Sequence, residues 1–68
     1  MVGQRIKTYL EDHGIKQAFL TEKTQISSSI LSMILSGQRK IEVMEYYRIC
    51  QALGVDLMTF IADGESEI

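Results

Sequence analysis

The chain has 68 residues, of which 46% are hydrophobic and 24% are charged, and it contains no proline. This composition excludes a disordered or collagen-like chain, and the length predicts one small domain. No apolar run is long enough to span a membrane, and a single cysteine excludes an internal disulfide. We therefore expect a cytoplasmic protein with no membrane partner.

Motifs for catalysis or metal binding do not occur in the sequence. The only histidine, His13, and the only cysteine, Cys50, lie outside any nucleophile, metal or phosphate-loop pattern. We therefore expect neither enzymatic activity nor a cofactor. Cys50 is expected to be an inert buried thiol, and His13 is expected to interact with the dipole at a helix C-terminus.

The charge is distributed unevenly along the chain, although the net charge is only −2. Residues 1–40 contain six basic and three acidic side chains, whereas residues 41–68 contain one basic and six acidic side chains. The net charge argues against indiscriminate binding to nucleic acid, because such binding relies on overall attraction to phosphates. The first part of the chain is therefore basic and the second part acidic, with net charges of +3 and −5.

The hydrophobic spacing predicts an all-α fold of five short helices without strands. Gly14, Gly37 and Gly54 each follow a segment with helical spacing, which is typical of helix C-termini. Ser27 is a favourable N-cap for the third helix, and Asp56 can cap a last turn. The predicted helices cover about Val2–His13, Gln17–Thr24, Ser28–Ser36 and Val43–Leu53, and the fifth returns Leu57, Phe60 and Ile61 to the core. Residues 1–62 should form the domain and residues 63–68 a polar tail.

The third and fourth helices are predicted to be amphipathic. In the third helix, one arc of about 140° faces the core and contains Ile30, Leu31, Ile34 and Leu35. The opposite arc contains Ser28, Ser29, Ser32, Met33 and Ser36. In the fourth helix, the predicted buried stripe contains Val43, Tyr46, Ile49, Cys50 and Leu53. Met44 and Tyr47 lie beside or outside this stripe, and they add apolar surface to the C-terminal half.

Four stretches of the chain occur in the order and spacing of a known family. They are Ile15-Lys16-Gln17, Gln25-Ile26-Ser27, Ser36-Gly37-Gln38-Arg39 and Arg48-Ile49-Cys50-Gln51-Ala52-Leu53-Gly54-Val55. Through them, residues 15–61 resemble the phage-repressor class of helix-turn-helix domains, the Cro/cI or XRE-like family. The resemblance implies a lambda-repressor-like fold, in which the third helix is the recognition helix.

Several positions depart from the pattern of this family. Lys16 replaces the usual Ser or Thr N-cap of the second helix, so that helix is expected to start less firmly. Gln25 replaces the glycine of the turn, and a positive φ at glutamine costs only about 1 kcal/mol. Leu10 and Leu35 stand where the family frequently has an Arg–Glu pair. Two apolar replacements suggest that the first and third helices still touch there.

The resemblance implies that the third helix enters the major groove of DNA. The side chains that would contact base edges are Ser28, Ser29, Ser32 and Met33. Those that would contact phosphates are Gln17, Lys16, Ser36, Gln38, Arg39 and Lys40. Without the resemblance, the same residues describe an ordinary surface helix and a solvated basic loop, and the sequence leaves open whether Arg39 or Lys40 reaches a base. Because this face lacks a bidentate reader of guanine or adenine, we expect modest base discrimination.

These features predict a sequence-specific, double-stranded-DNA-binding transcriptional regulator that acts as a repressor. One domain offers few contacts for selecting a site in a genome, so we expect a homodimer on an inverted-repeat operator. The expected dimer interface is Leu57, Met58, Phe60 and Ile61. Such a bacterial or phage-encoded protein would associate with the nucleoid, and a protein antagonist would be one means of regulation. The alternative is an antitoxin or another partner-binding module on the same scaffold.

Overall fold

The computed structural model of the protein describes residues 2–61. This part of the chain contains four helices and no strand, which agrees with the predicted all-α class. The helices are α1 (Val2–Asp12), α2 (Gln17–Thr24), α3 (Ser28–Ser36) and α4 (Val43–Leu53). The predicted bounds of α2, α3 and α4 are confirmed, whereas α1 ends one residue before the predicted His13. The predicted tail, residues 63–68, lies outside the described residues.

The predicted fifth helix is wrong, because residues 57–60 form turns. The Asp56 carboxylate accepts a hydrogen bond from the Met58 N–H at 2.9 Å, and the Thr59 N–H donates to the Asp56 carbonyl at 3.0 Å. The Ile61 N–H donates to the Met58 carbonyl at 3.2 Å. These bonds span at most three residues and close single turns. So short a segment does not repay the cost of nucleating an α-helix.

Local interactions determine where α2 ends and where α3 begins. Gln25 has a φ of 61°, and its N–H donates to the Thr21 carbonyl at 2.9 Å. It is the only non-glycine residue of the described chain with a positive φ, as expected for a turn that usually contains glycine. The Ser27 hydroxyl then accepts a hydrogen bond from the Ile30 N–H at 3.2 Å and caps α3 as predicted. Lys16 provides no side-chain cap for α2, also as predicted.

The helices share one cluster of buried hydrophobic side chains. Helix α1 packs against α3, and α2 packs against both α3 and α4. The most deeply buried side chains are Ile6, Leu20, Leu31, Ile34, Ile49 and Cys50. Leu10 and Leu35 are buried in the same cluster, as expected if apolar side chains stand in place of an ion pair. Packing in this core therefore fixes the position of α3 relative to α2.

The buried stripe of α4 is shorter than the sequence predicts. Tyr46, Ile49 and Cys50 are buried, but the side chain of Val43 is 63% exposed. The prediction for Val43 is wrong because it is the first residue of α4, where the surrounding groove is lined only by α4 and the segment 57–61. None of the other helices covers this end of α4.

The segment 57–61 anchors the C-terminal end of the described chain through one aromatic side chain. Phe60 is buried, and its ring lies edge-on to the rings of Tyr9 and Tyr46, with centroid distances of 5.4 and 6.4 Å. Arg5 donates to the Phe60 carbonyl at 3.3 Å. Leu57 is 46% exposed, so the prediction that it returns to the core is wrong. In a helix, the 3.6-residue period would place Leu57 on the same side as Phe60 and Ile61. A turn does not have this period, and the Leu57 side chain points outward.

Candidate nucleic-acid interface

Helix α3 presents a polar face to solvent, with the orientation predicted from its sequence. Leu31, Ile34 and Leu35 are buried and attach the helix to the core, while Ile30 is partly buried. The exposed side chains are Ser28, Ser29, Ser32, Met33 and Ser36. The hydroxyl of Ser36 donates to the Met33 carbonyl at 3.2 Å. The outward face is therefore free of bulky groups other than Met33.

The start of α2 lies beside the start of α3. The Gln17 side-chain amide donates to the Ser28 carbonyl at 3.5 Å, which joins the two helices across the turn between them. Lys16 precedes Gln17 and is exposed. The structure thus brings Gln17 next to the start of α3, although Gln17 is eleven residues away from Ser28 in the chain.

The loop after α3 folds back on the end of that helix. Gly37 has a φ of 84°, a left-handed conformation that favours glycine. The N–H groups of Gln38 and Arg39 both donate to the Met33 carbonyl, at 2.9 and 3.3 Å. The side chains of Gln38 and Lys40 are exposed. These two side chains flank the polar face at the end opposite to Gln17.

Arg39 differs from Lys16 and Lys40, the other basic side chains predicted to contact phosphates, because its guanidinium pairs with carboxylates of the protein. Its Nη1 donates to the two carboxylate oxygens of Glu45 at 2.8 and 3.0 Å, and its Nη2 lies 3.7 Å from the Glu42 carboxylate. The hydrogen bond with Glu45 is the main cause of the raised pKa of Arg39. The sequence contained no indication of this pairing, since Arg39 lies outside the helix that supplies Glu45.

The carboxylate of Glu45 is held in its charged form by two donors. Burial disfavours the ionised form, but the hydrogen bonds from Arg39 and from the Glu42 N–H, together with the charge of Arg39, outweigh it and lower the pKa of Glu45. The Glu42 N–H lies 2.9 Å from Glu45 Oε1, so the same carboxylate also caps the first turn of α4. Arg39, Glu42 and Glu45 form one network that links the loop to α4.

The predicted dimer residues are divided between the surface and the core. Leu57 and Met58 are 46% and 64% exposed, Ile61 is partly buried, and Phe60 is only 3% exposed. Phe60 is therefore a core residue in this structure. The exposed apolar surface extends instead along the start of α4.

That surface is a groove with a volume of about 380 Å³ between α4 and the segment 57–61. It is lined by Val43, Met44, Tyr46, Tyr47, Leu57 and Ile61. The spacing of Met44 and Tyr47 indicated exposed apolar side chains, but that of Val43 did not, since Val43 shares the register of the buried Tyr46. The groove lies outside the polar face of α3.

The two residues with reactive side chains have local roles. Cys50 is buried, and burial raises the pKa of its thiol, which keeps it protonated. The ring of His13 stacks on Tyr9, and its Nδ1 lies 2.9 Å from the Tyr9 carbonyl at the end of α1. Within residues 2–61, acidic, histidine and cysteine side chains do not form a group that could hold a metal ion. In the same part of the chain, none of the helices is both long and apolar enough to cross a membrane.

Comparison with known proteins connects this geometry to a family. A family model described as a helix-turn-helix domain matches residues 3–66. The HTH-type transcriptional regulator RamB, from two strains of Mycobacterium tuberculosis, is 30% identical over 67 residues. That alignment covers 98% of this chain and 14% of RamB, so the chain spans about one seventh of the length of these relatives. No solved structure gives a significant match. The chain belongs to the XRE-like helix-turn-helix family.

Proposed function

We propose that this chain binds double-stranded DNA in a sequence-specific manner and acts in a transcriptional regulator, as a repressor. The observation that carries the proposal is the exposed polar face of α3, which is flanked at both ends by basic and amide side chains. Helix-turn-helix proteins place such a helix in the major groove. The similarity to a protein named as a transcriptional regulator supports the same function.

The base-reading part of the proposal concerns the exposed residues of α3. The hydroxyls of Ser28, Ser29 and Ser32 can donate to or accept from base edges, and Met33 can pack on a thymine methyl group. These contacts discriminate less sharply than a bidentate arginine or glutamine. We therefore propose an operator whose recognition is distributed over several weak base contacts.

The phosphate-contacting part of the proposal concerns the two ends of the polar face. Lys16 and Gln17 lie at one end, and Ser36, Gln38 and Lys40 lie at the other. A phosphate strand on each side of the major groove would meet these two groups while α3 lies between them. Such contacts orient the helix and make binding depend on salt, but they carry no sequence information.

We further propose that the regulator binds as a homodimer on an inverted repeat. Two recognition helices about 34 Å apart would occupy successive major grooves on one side of the duplex. The exposed groove at the start of α4, together with Leu57 and Met58, is the proposed dimer surface. Pairing two domains makes the second contact intramolecular and raises affinity without new base contacts. Such a protein would act at the nucleoid.

The same groove favours a second candidate function, binding to a different protein as an antitoxin or as the target of an antagonist. An apolar groove does not distinguish a second copy from another chain. Co-purification with a co-encoded protein would support the second candidate if the Val43→Glu variant loses the partner and the Lys40→Ala variant retains it. A protein that purifies alone as a dimer would support the first.

Selection of bound sequences from random duplex DNA, at stated salt, tests the proposed function. We expect an enriched inverted repeat with wild-type protein. A matched selection with the variant Ser29→Ala/Ser32→Ala should lose enrichment at particular positions while weak binding to all sequences remains. A wild-type protein that enriches no sequence, although its helical content is normal, would contradict sequence-specific binding.

A further inference from the structure

The loop after α3 carries two basic side chains in different environments. Lys40 is exposed and makes no ion pair with a side chain of residues 2–61. The guanidinium of Arg39 contacts Glu45 through two short hydrogen bonds, and its side chain is only 30% exposed. Equal contributions of the two residues to DNA binding are therefore not expected, although both belong to the same basic sequence.

A phosphate that approached Arg39 would have to displace a carboxylate. Glu45 is 16% exposed, so separating it from Arg39 would leave a charge in a partly buried position. Glu42 stands 3.7 Å from the same guanidinium and is 73% exposed, so it would repel the incoming phosphate. One arginine between two carboxylates presents no net positive charge to DNA.

The same contacts fix the loop relative to both helices that it joins. The backbone N–H of Arg39 is bonded to the Met33 carbonyl in α3, while its side chain is bonded to Glu45 in α4. Glu45 in turn accepts from the Glu42 N–H at the start of α4. Arg39 thus connects the end of the polar helix to the first turn of α4 through a single residue.

We infer that Arg39 is a positioning residue rather than a phosphate contact. It holds the loop through Glu45, so that the neighbouring Lys40 provides the positive charge of this loop to the phosphate backbone. Glu42 and Glu45 thereby limit non-specific affinity for DNA. The inference rests on the proposed function, since it assigns roles within the same interface.

The salt dependence of binding to a labelled mixed-sequence duplex separates the two roles. A phosphate contact contributes about 0.9 to the slope of log K against log salt concentration. Lys40→Ala should lower the slope by about this amount per protomer, whereas Arg39→Ala should leave it unchanged. Glu45→Gln keeps an acceptor for the Glu42 N–H but removes the negative charge that neutralises Arg39, so it should tighten binding and increase the slope. A slope that falls as much in Arg39→Ala as in Lys40→Ala would overturn the inference.

Binding to a selected operator provides the readout for positioning. Arg39→Ala should lower operator affinity several-fold at unchanged salt slope and unchanged helical circular dichroism. Arg39→Lys preserves the charge but not the forked hydrogen bonds, and it should resemble Arg39→Ala. An Arg39→Lys protein that binds the operator like the wild type would overturn the inference, because charge alone would then suffice.

A stability experiment without DNA tests the pairing of Arg39 with Glu45 separately from the proposed function. Arg39→Ala should lower the Tm of the wild type but have a smaller effect in the Glu45→Gln background, because the ion pair is already lost there. Additive losses of Tm would overturn the pairing. Failure of the wild-type protein to bind any duplex at low salt would instead contradict the proposed function, and the measured coupling would still stand.

Discussion

Gly3 of α1 packs directly against the backbone of Ile34 in α3. A β-carbon added at Gly3 would lie 2.0 Å from the Ile34 carbonyl oxygen and 3.0 Å from its carbonyl carbon. Both atoms belong to the backbone of a helix, so neither can rotate away. Because the opposite side of α3 is its exposed polar face, the absence of a side chain at residue 3 determines how closely α1 supports that helix.

The close approach predicts that Gly3→Ala destabilises the domain, even though alanine is the better helix former. Separating α1 from α3 should lower the free energy of unfolding by about 1–3 kcal/mol. Urea unfolding followed by circular dichroism measures this loss. Lys7→Ala, on the exposed side of α1, is the control and should change stability by less than about 0.5 kcal/mol. Equal stability of the two variants would show that the helices separate without cost.

The polar face of α3 predicts a separation between stability and binding. Ser29→Ala, Ser32→Ala and Met33→Ala should preserve the fold, since all three side chains are exposed. A direct base contact should cost about 1–3 kcal/mol at one position of the selected operator. Fluorescence anisotropy with single-base operator variants measures this cost.

A buried residue of the same helix provides the contrast. Leu31→Ala should lower the free energy of unfolding by about 2–5 kcal/mol, because Leu31 is fully buried and its loss leaves a cavity in the core. If none of the three exposed substitutions affected binding, the groove-facing role of α3 would be wrong.

The apolar groove predicts where a charge would break the proposed dimer. Val43→Glu and Met58→Glu both place a carboxylate on the proposed dimer surface. The side chains that they replace are 63% and 64% exposed, so the core should remain intact. Both variants should sediment as monomers and bind the operator more weakly, with normal helical content. Lys7→Glu is the control, because Lys7 lies on α1, away from the groove. It changes the charge in the same direction as the groove variants and by a larger amount, and it should remain dimeric. A dimeric mass in both groove variants would exclude this interface.

Tyr46 predicts a loss of stability at high pH. Burial is the main cause that raises the pKa of its hydroxyl to about 12, from 10.0. Because the folded state favours the protonated form, the contribution is complete below pH 10 and is lost as pH rises toward 12. Urea unfolding between these pH values measures the loss.

Tyr46→Phe is the matched variant for this effect. It removes the hydrogen bond that the hydroxyl donates to the Leu57 carbonyl, so it should lower stability at neutral pH by about 1 kcal/mol. Burial raises the pKa of Cys50 and the hydrogen bond with the Tyr46 hydroxyl lowers it, so both proteins should carry Cys50→Ala to remove the thiol from the comparison. The difference between the two should then shrink as the pH rises from 10 toward 12. A difference that stays constant would show that Tyr46 does not titrate with folding.

The sequence alone predicted the helices α2, α3 and α4 and the two faces of α3. Ser27, Gln25 and Gly37 act on neighbouring backbone groups, and the period of 3.6 residues separates Leu31 from Ser32 without reference to the rest of the chain. Such local interactions involve residues close in sequence. These interactions can therefore be predicted from the sequence before any tertiary contact is known.

Only the tertiary structure decided the environments of Val43, Leu57 and Arg39. Val43 has the register of a buried residue but is exposed because no other helix covers the start of α4. Leu57 was predicted to return to the core but is exposed, because residues 57–60 form turns rather than a helix. Arg39 was predicted to be a solvated or phosphate-binding charge, but it pairs with Glu45 because the loop brings the two side chains together. Burial and charge pairing depend on which elements meet in space, and residue spacing does not contain that information.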